Sequence, residues 1–590
     1  MENVDIARTL RETADLLEIQ GANPFRIRAY RNAVRTIEAL TRSLQDMVAA
    51  GDDLTELQGV GKEMDAHIRE LLQTGQLSTL NAVTEVVPRT LAELTRLDGV
   101  GPKKAKRLYD ELGVESVEGL EAEIQRGTVQ EMKGFGARSA EKMLRAIGDH
   151  RKQQGRFLRV EVEPYVESLQ QWMESLDGIE RLEWAGSWRR RRETIGDLDL
   201  LASYAGDGTP VVEHFARFDG AVRVEAAGST KGNIILRSGL SVDLRVIPPE
   251  SFGAALHYFT GSKEHNVHIR TLGVKRGLRI NEWGVFEVPA DVDPETVGKD
   301  GGRRVGGETE DEVFAALDLA WIPPELREDR GEIDAAREGD LPTLLELSDI
   351  RGDLHMHSTW TDGTASILDM AEACAERGYD YMAITDHSQA VTMVGGLTPE
   401  RVREQWHEVR AAQEEIGDRL RILRGQEVDI LKDGSLDQPD DLLAELDVVV
   451  ASVHSFMDLD RTQMTRRIVR AVSHGGVDIL GHATGRLLGR REPYALDVEA
   501  VLEACAEHDV AVEINAHPRR LDLDDRHVAR ARELGVRVVI NSDAHAIRGL
   551  DVMRFGVEQA RRGWLEAGHV LNTRPLADVL AWLEGRRERG

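Results

Sequence analysis

Asp197 and Asp199 stand one residue apart in GDLDLL, inside an alternating apolar pattern. Strand side chains two positions apart share a face, so both carboxylates can meet one metal ion. Asp243, in SVDLRVIPP, lies in a second strand-like run with apolar neighbours on either side. Carboxylates on adjacent strands suit hard cations such as Mg²⁺, which also accept phosphate oxygens. Two such ions would activate a hydroxyl and stabilise departing pyrophosphate in an in-line displacement. A lone Asp-x-Asp is usually a solvated turn. Here Gly186, Ser187 and four consecutive arginines stand just upstream in GSWRRRRETIGD. That places phosphate donors beside the carboxylates, as nucleotidyl transfer requires.

A second constellation lies toward the C-terminus, where residues 351–590 hold 12 of the 18 histidines. His355 and His357 (DLHMHST), Asp362, His387 (ITDHS), Glu427 (GQEVDI), His454 (ASVHS), His482 (LGHA), and Asp543 with His545 (NSDAH) recur at the ends of apolar runs. Imidazole and carboxylate without cysteine suit Mn²⁺, Zn²⁺ or Fe²⁺. Up to three clustered ions would orient a phosphodiester and supply a hydroxide, since a bound ion lowers the pKa of water to about 7. A single histidine on an apolar strand is more often a satisfied core residue; so many at strand ends argue against that. His407, His474, His508, His527 and His569 lack this context and read as surface or packing residues. His517 in EINAHP is ambiguous, and Glu513 and Asn515 share its strand.

The N-terminal segment carries three related stretches, LQGVGKEMDAHI, LDGVGPKKAKRLY and MKGFGARSAEKML. Each sets an apolar residue, then Gly-x-Gly, then an amphipathic helix. Backbone N–H groups at such a helix start bind phosphate by hydrogen bonds and the helix dipole. Gly59, Val60 and Gly61, with Gly99, Val100, Gly101, Lys103 and Lys104, therefore read as helix-hairpin-helix contacts to a DNA backbone, independent of base sequence. A plain turn is the alternative for any one copy. The third, with Phe135 in its turn, fits a purely structural role.

The elements that must position these groups change along the chain. Residues 1–150 show apolar spacing of three and four (Ile6, Leu10, Ala14, Leu17) and predict helices. Residues 155–250 alternate in RFLRVEVEPYV, DLDLLASY, AVRVEAAG, NIILRSG and SVDLRVIP, which predicts strands with helices between them. From Arg351 a strand–turn–helix pattern repeats, as in YMAITDH, LDVVVASVH and VRVVINSDAH. Repeated βα units predict a parallel sheet or barrel, whose site lies at the C-terminal strand ends. Length fits several domains: 590 residues, 41% hydrophobic and 30% charged. The net charge is −29, but residues 1–160 carry 24 Lys+Arg against 25 Asp+Glu, so the acidity lies in the body and a DNA-coating basic protein is excluded. Two cysteines, Cys374 and Cys505, exclude a disulfide framework or Cys-based zinc site. They lie in helical patterns and read as packing residues. The charged N-terminus is no signal peptide and no apolar run is long enough for a membrane span, so a cytoplasmic location is expected.

GSWRRRRETIGDLDLL, VDLRVIPPESFGAALHYFTGSKEHNVHIR and the hairpin repeats together resemble a bacterial or archaeal-type family X DNA polymerase. From that resemblance follow a helical domain at 1–82, fingers at 83–152, a nucleotidyltransferase palm at 153–250, a thumb at 251–330 and a linker at 331–349. It implies that Asp197, Asp199 and Asp243 are the catalytic triad, binding Mg²⁺ or Mn²⁺. Gly186, Ser187, Arg190 and Gly196 match nucleotide-holding positions; Tyr258, Phe259 and Gly261 match the sugar-facing segment. Asn266 and Arg270 fall where the family contacts the nascent pair and the template strand. Many relatives use a lysine of the first domain as a Schiff-base nucleophile toward a 5′-deoxyribose phosphate. His67 stands at that position, and imidazole cannot form the same imine, so lyase activity is expected to be weak or absent.

Residues 350–590 resemble a PHP (polymerase and histidinol phosphatase) domain, a distorted seven-stranded β/α barrel. All nine family ligand positions hold His, Asp or Glu, with Glu427 as the bridging ligand. The resemblance implies a Mn²⁺- or Zn²⁺-dependent 3′→5′ exonuclease holding up to three ions, and relatives also show abasic-site endonuclease and 3′-phosphatase activity. The expectation is a monomeric repair enzyme that fills short gaps, with gapped or primer-template DNA and deoxynucleoside triphosphates as partners and no membrane. The competing reading is a DNA-end-binding phosphoesterase with a vestigial polymerase site. A small-molecule phosphatase fused to a DNA-binding head is a third.

Overall fold

The computed structural model describes residues 1–590 apart from 2, 39, 41–43, 58, 96, 98, 154, 290–291, 293–300 and 588–590. These residues pack as two compact units. One comprises 1–188, 194–259 and 489–491; the other comprises 189–193, 260–488 and 492–590. Among the described residues no helix is long and apolar enough to cross a membrane.

The first unit opens with helices, among them Asn3–Gln20, Pro24–Glu38, Lys62–Thr74, Pro102–Leu112 and Gly136–Gln153. Their apolar stripes, Ile6, Leu10, Ala14 and Leu17 included, join one continuous core that runs from Ile6 to Ile147. A five-stranded mixed sheet follows, ordered Ile179–Trp184, Asp197–Tyr204, Ser241–Ile247, Lys231–Leu236, Ala221–Ala227. Only the pair Asp197–Tyr204 and Ser241–Ile247 is parallel. One face packs on the helices Arg159–Glu174 and Thr209–Ala216 through Leu198, Leu200, Val242 and Leu244. On the other face Leu201 and Ile247 meet the helix Phe252–Thr260 at Phe252 and Ala255.

One expectation fails here. RFLRVEVEPYV is not a strand beyond Phe157–Leu158; Arg159–Glu174 is a helix, with Pro164 inside it. The alternation at its start is local. Val162, Tyr165, Val166, Leu169 and Met173 are buried at helical spacing, and that longer stripe wins.

In the second unit the helix Lys263–Lys275 precedes a three-stranded antiparallel sheet and the helix Glu310–Ala315. Glu310 receives Arg327 at 2.6 Å and Arg189 at 2.8 Å. Burial pushes its carboxyl up, but the two guanidinium groups hold it far below the usual carboxylate range. Arg327 is fully buried. Removing one partner of a buried pair strands the other charge. Glu310→Gln is therefore expected to cost about 3–5 kcal/mol of stability, read by denaturant unfolding. A loss under about 1 kcal/mol would mean that water reaches Arg327.

The remainder is a seven-stranded parallel sheet whose strands neighbour one another in chain order. They are Gly352–Asp353, Tyr381–Ile384, Arg421–Asp429, Val448–Ser452, Ile479–Leu480, Ala511–Asn515 and Val538–Asn541. A parallel bridge between Met356 and Ala544 brings its two edges together, so the sheet is nearly closed as a barrel. Helices such as Ile367–Glu376, Pro399–Ile416 and Arg461–Val472 connect the strands, as parallel pairing demands. Cys374 and Cys505 are buried helical residues, in the packing role expected of them.

Candidate active sites

In the first unit the sheet register does what the spacing of the aspartates required. Asp199 lies directly across from Asp243 in the parallel pair, and Asp197 is two residues before Asp199 on the same face. That face is open here: Asp197 is exposed, and Asp199 and Asp243 are half-buried. Gly186 lies against this cluster. A Cβ built on it would meet Asp199 Oδ2 at 2.4 Å, and its φ is +59°. The position therefore needs glycine. The hydroxyl of Ser187 is buried without a hydrogen-bond partner. An orphaned donor beside open carboxylates suits an oxyanion that binds there. Gly186→Ala is expected to lower primer extension by about 10²-fold by displacing the Asp199 carboxylate. Unchanged extension would show that the strand tolerates the shift.

Tyr258 and Phe259 make an edge-on pair at 5.2 Å, and the Phe259 ring also lies under Arg245, 5.2 Å away. Phe259 packs partly into the local core, so it is anchored while Tyr258 stays half-buried beside it. Gly196 immediately precedes the strand of Asp197; a Cβ there would approach Arg156 Nη1 at 3.2 Å.

The Gly-x-Gly turns share one geometry. Gly59, Gly99 and Gly134 have φ of +81°, +82° and +89°. Val60, Val100 and Phe135 each donate a backbone N–H to the carbonyl three residues before and bury their side chains. Val60 and Val100 thus spend both N–H and side chain within the turn and shape it for the groups that follow. Gly61 and Gly101 are N-caps with no side-chain hydrogen bond to the helix, which after Gly61 leaves first-turn N–H groups for an outside oxygen. After Gly101, Pro102 carries no N–H and the Lys104 backbone N–H donates to Gly101 O, so that turn offers the Lys103 N–H. Lys103 is exposed, whereas Lys104 donates to Gly99 O at 2.8 Å. In the third copy Arg107 lies 5.2 Å from the Phe135 ring and donates to Lys133 O, which fits the structural role read for it. His67 sits between Tyr30 Oη (3.1 Å) and Thr79 Oγ1 (3.3 Å), and burial lowers its pKa.

In the second unit the four arginines differ from the expectation of free phosphate donors. Arg189 pairs with Glu310, Arg190 with Glu328 at 3.1 Å, Arg191 with Glu558 at 3.1 Å and Arg192 with Glu328 at 3.7 Å. A charge run has no way to show in sequence which distant carboxylates will meet it. Arg190 also donates to Thr260 O, next to Gly261. Asn266 is buried in the first turn of its helix, where its backbone N–H donates to Ser262 O, and Arg270 Nε donates to its carbonyl at 3.3 Å.

The barrel mouth gathers all nine expected ligands. Three close groups form: His357, Asp362, His387 and His545; His355, His357 and Asp543; and His387, Glu427 and His454. His357 and His387 belong to two groups each. His482 lies outside them, but its Nε2 is 3.0 Å from Glu427 Oε1. Glu427 is central: His387 Nδ1 approaches at 2.7 Å, His454 Nε2 at 3.2 Å, His355 Nε2 at 3.5 Å and His357 Nε2 at 3.8 Å. Asp543 and His482 have φ of +54° and +25°. Such backbone persists where the surroundings over-determine it, and functional sites are where it clusters.

Burial opposes charge on His387 and His454, yet Glu427 and its neighbours raise them to about 10 and about 9. Burial and the charges of His545 and His387 press His357 down to about 3. Burial also opposes ionisation of Glu427, but His454, His387 and His355 hold it well below the carboxylate range. The donor set fits divalent cations. His355 Nε2, His357 Nδ1, Asp362 Oδ1 and Glu427 Oε2 are buried without a hydrogen bond of acceptable geometry.

The groups behind the ligands escaped the sequence reading in part. Glu513 holds His355 Nδ1 at 2.7 Å and is itself anchored by Asn541 Nδ2 and the His482 N–H. Asp429 accepts from the His454 backbone at 3.0 Å and lies 3.1 Å from its Nδ1. A signal existed for Asp429: it follows Glu427 by two residues on one strand. Such partners fix ring orientation and raise ligand basicity. His517 lies outside the three close groups, and its Nδ1 accepts the Arg519 N–H at 3.3 Å.

Residues 1–77 match a helix-hairpin-helix domain, 91–149 a SAM-like helix-hairpin-helix tandem, 255–328 the DNA polymerase beta thumb and 353–517 the PHP domain. Over 586 residues the chain is 42% identical to the DNA polymerase/3′-5′ exonuclease PolX of Bacillus subtilis (strain 168), covering 99% of this chain and 100% of that protein. The chain belongs to the bacterial family X DNA polymerases. It is also 27% identical over 328 residues to DNA polymerase lambda of Arabidopsis thaliana, covering 51% of this chain and 57% of that one. The PHP part has separate relatives: "Probable phosphatase YcdX" of Escherichia coli (strain K12) is 32% identical over 204 residues, 33% of this chain and 78% of that protein. This family X polymerase thus has a thumb, helix-hairpin-helix domains and a PHP barrel that carries candidate metal-binding groups.

Proposed function

We propose that this family X polymerase fills short gaps during DNA repair and trims the 3′ end with its PHP barrel. The observation that supports this best is the pairing of two different donor sets in one chain: oxygen-only at Asp197, Asp199 and Asp243, and mixed nitrogen and oxygen at the barrel mouth. The first suits Mg²⁺ or Mn²⁺, the second Mn²⁺ or Zn²⁺. Divalent cations held by these sets supply charge stabilisation for phosphoryl transfer and, in the barrel, a water of lowered pKa.

Each residue then has a role toward the substrate. The three aspartates would hold the cations, which would supply charge stabilisation for transfer to the primer 3′ hydroxyl. Ser187 Oγ donates to a phosphate oxygen, and Arg190 exchanges Glu328 for the triphosphate. Tyr258, Phe259 and Gly261 face the sugar, and Asn266 and Arg270 face the nascent pair and template. Backbone N–H groups after Gly61 and Gly101, with Lys103, grip the phosphates of the gapped duplex. At the barrel, Glu513 and Asp429 orient His355 and His454, and Glu427 would be among the residues that hold the cations. Abasic-site cleavage and 3′-phosphate removal are further reactions of the same mouth. Lyase action is weak, because His67 offers no amine.

The test is a gapped duplex with a labelled primer, with and without deoxynucleoside triphosphates, under Mg²⁺ and then Mn²⁺. Nucleotide-dependent growth of the primer and nucleotide-independent shortening are both expected. Shortening alone would favour the phosphoesterase reading with a vestigial polymerase site.

A further inference from the structure

Phe456 is an aromatic side chain that neither the barrel core nor the ligand cluster uses. It follows His454 by two residues on the loop leaving the strand Val448–Ser452. Its neighbours Met457 and Leu459 pack against the barrel core, whereas Phe456 is 51% exposed. Burying a phenyl ring is favourable, so its outward presentation calls for a cause. Its φ of +52° lies in the left-handed region that bulky residues rarely adopt.

The fold holds that conformation in place. The buried Arg467 donates to Ser455 O at 2.8 Å, reaches Phe456 O at 3.5 Å, and also donates to Ile430 O and to Leu431 O on the neighbouring loop. That loop carries Lys432, whose Nζ is 5.3 Å from the Phe456 ring centroid. His454 Nε2 is 3.2 Å from Glu427. Two residues of chain span at most about 7 Å, so the Phe456 backbone lies within that distance of the His454 backbone, beside the ligand cluster.

We propose that Phe456, with Lys432 beside it, forms a stacking platform for the base of an unpaired 3′-terminal nucleotide entering the barrel. This rests on the reading of the barrel as a 3′→5′ exonuclease. Such an enzyme must accept every base, and an aromatic face does so because every base has a π-face. The ammonium of Lys432 meets the backbone phosphate that follows the stacked base. A hydrogen-bonding pocket would discriminate among bases; the ring orders the terminal nucleotide without reading it.

The test uses the full chain with two single-stranded oligothymidylates, one ending in a normal nucleotide and one in a 3′-terminal abasic analogue. Phe456→Gly, which also relaxes the positive φ, is expected to raise KM for the normal oligonucleotide on the order of tenfold. Phe456→Trp restores it. On the abasic-ended oligonucleotide wild type and Phe456→Gly converge, because no base is present to stack. The Phe456→Trp protein also gains a fluorescence quench with the normal oligonucleotide that the abasic one does not produce. Equal losses on both substrates, or none on either, would overturn the stacking assignment while leaving the exonuclease reading intact. A wild-type barrel that degrades neither substrate would overturn the exonuclease reading beneath it.

Discussion

Replacing Glu427 with glutamine is expected to abolish 3′→5′ degradation, by roughly 10³-fold, while gapped-primer extension continues. Glu427 is fully enclosed and faces four imidazoles at 2.7–3.5 Å, those of His387, His482, His454 and His355. Its negative charge offsets the basic rings that converge on it, and it would help to hold the divalent cations of the mouth. Glutamine keeps the shape and loses the charge. The loss of several kcal/mol of charge stabilisation corresponds to about three powers of ten in rate. A second readout is the number of Mn²⁺ or Zn²⁺ ions bound per chain, which should fall. Because four rings lean on Glu427, the variant barrel is itself at risk of unfolding. Asp362→Asn covers that risk, since Asp362 is about one-third exposed and its ion-pair partners among the described residues are His387, His545 and His357. Degradation at wild-type rate in both variants would sink the assignment of the mouth as the exonuclease site.

The complementary result is expected from Asp199→Asn. Primer extension should fall on the order of 10³-fold or more, with 3′→5′ degradation unchanged. Asp199 faces Asp243 across the parallel pair, shares its face with Asp197 and is touched by Gly186, so it is the middle of the triad. Asparagine fills the same space and keeps the strand, which removes folding as an explanation. Measured extension within tenfold of wild type would show that the triad does not carry the transfer. Loss of both activities from this one substitution would instead show that the two sites are coupled through the fold.

Much of this chemistry was legible because it is local. Asp197 and Asp199 needed only a strand period of two, and the strand formed. His387, His454 and Asp543 follow the short apolar runs that became the buried parallel strands Tyr381–Ile384, Val448–Ser452 and Val538–Asn541. The stretch RVEVEPYV misled for the same reason: five alternating residues looked like a strand, while the buried stripe that decided the outcome runs on to Met173.

Pattern and residue type were enough to announce two clusters of candidate metal-binding residues, three hairpin turns and a run of βα units, because each depends on neighbours a few positions away. Three-dimensional packing settled what depends on distant partners. It set Asp243 opposite Asp199 and placed Glu513 behind His355 across 158 residues. It also turned the arginines after Trp188 toward Glu310, Glu328 and Glu558. Charges pair with whatever the fold brings within a few ångströms, and that choice is not written in the spacing of the charges themselves.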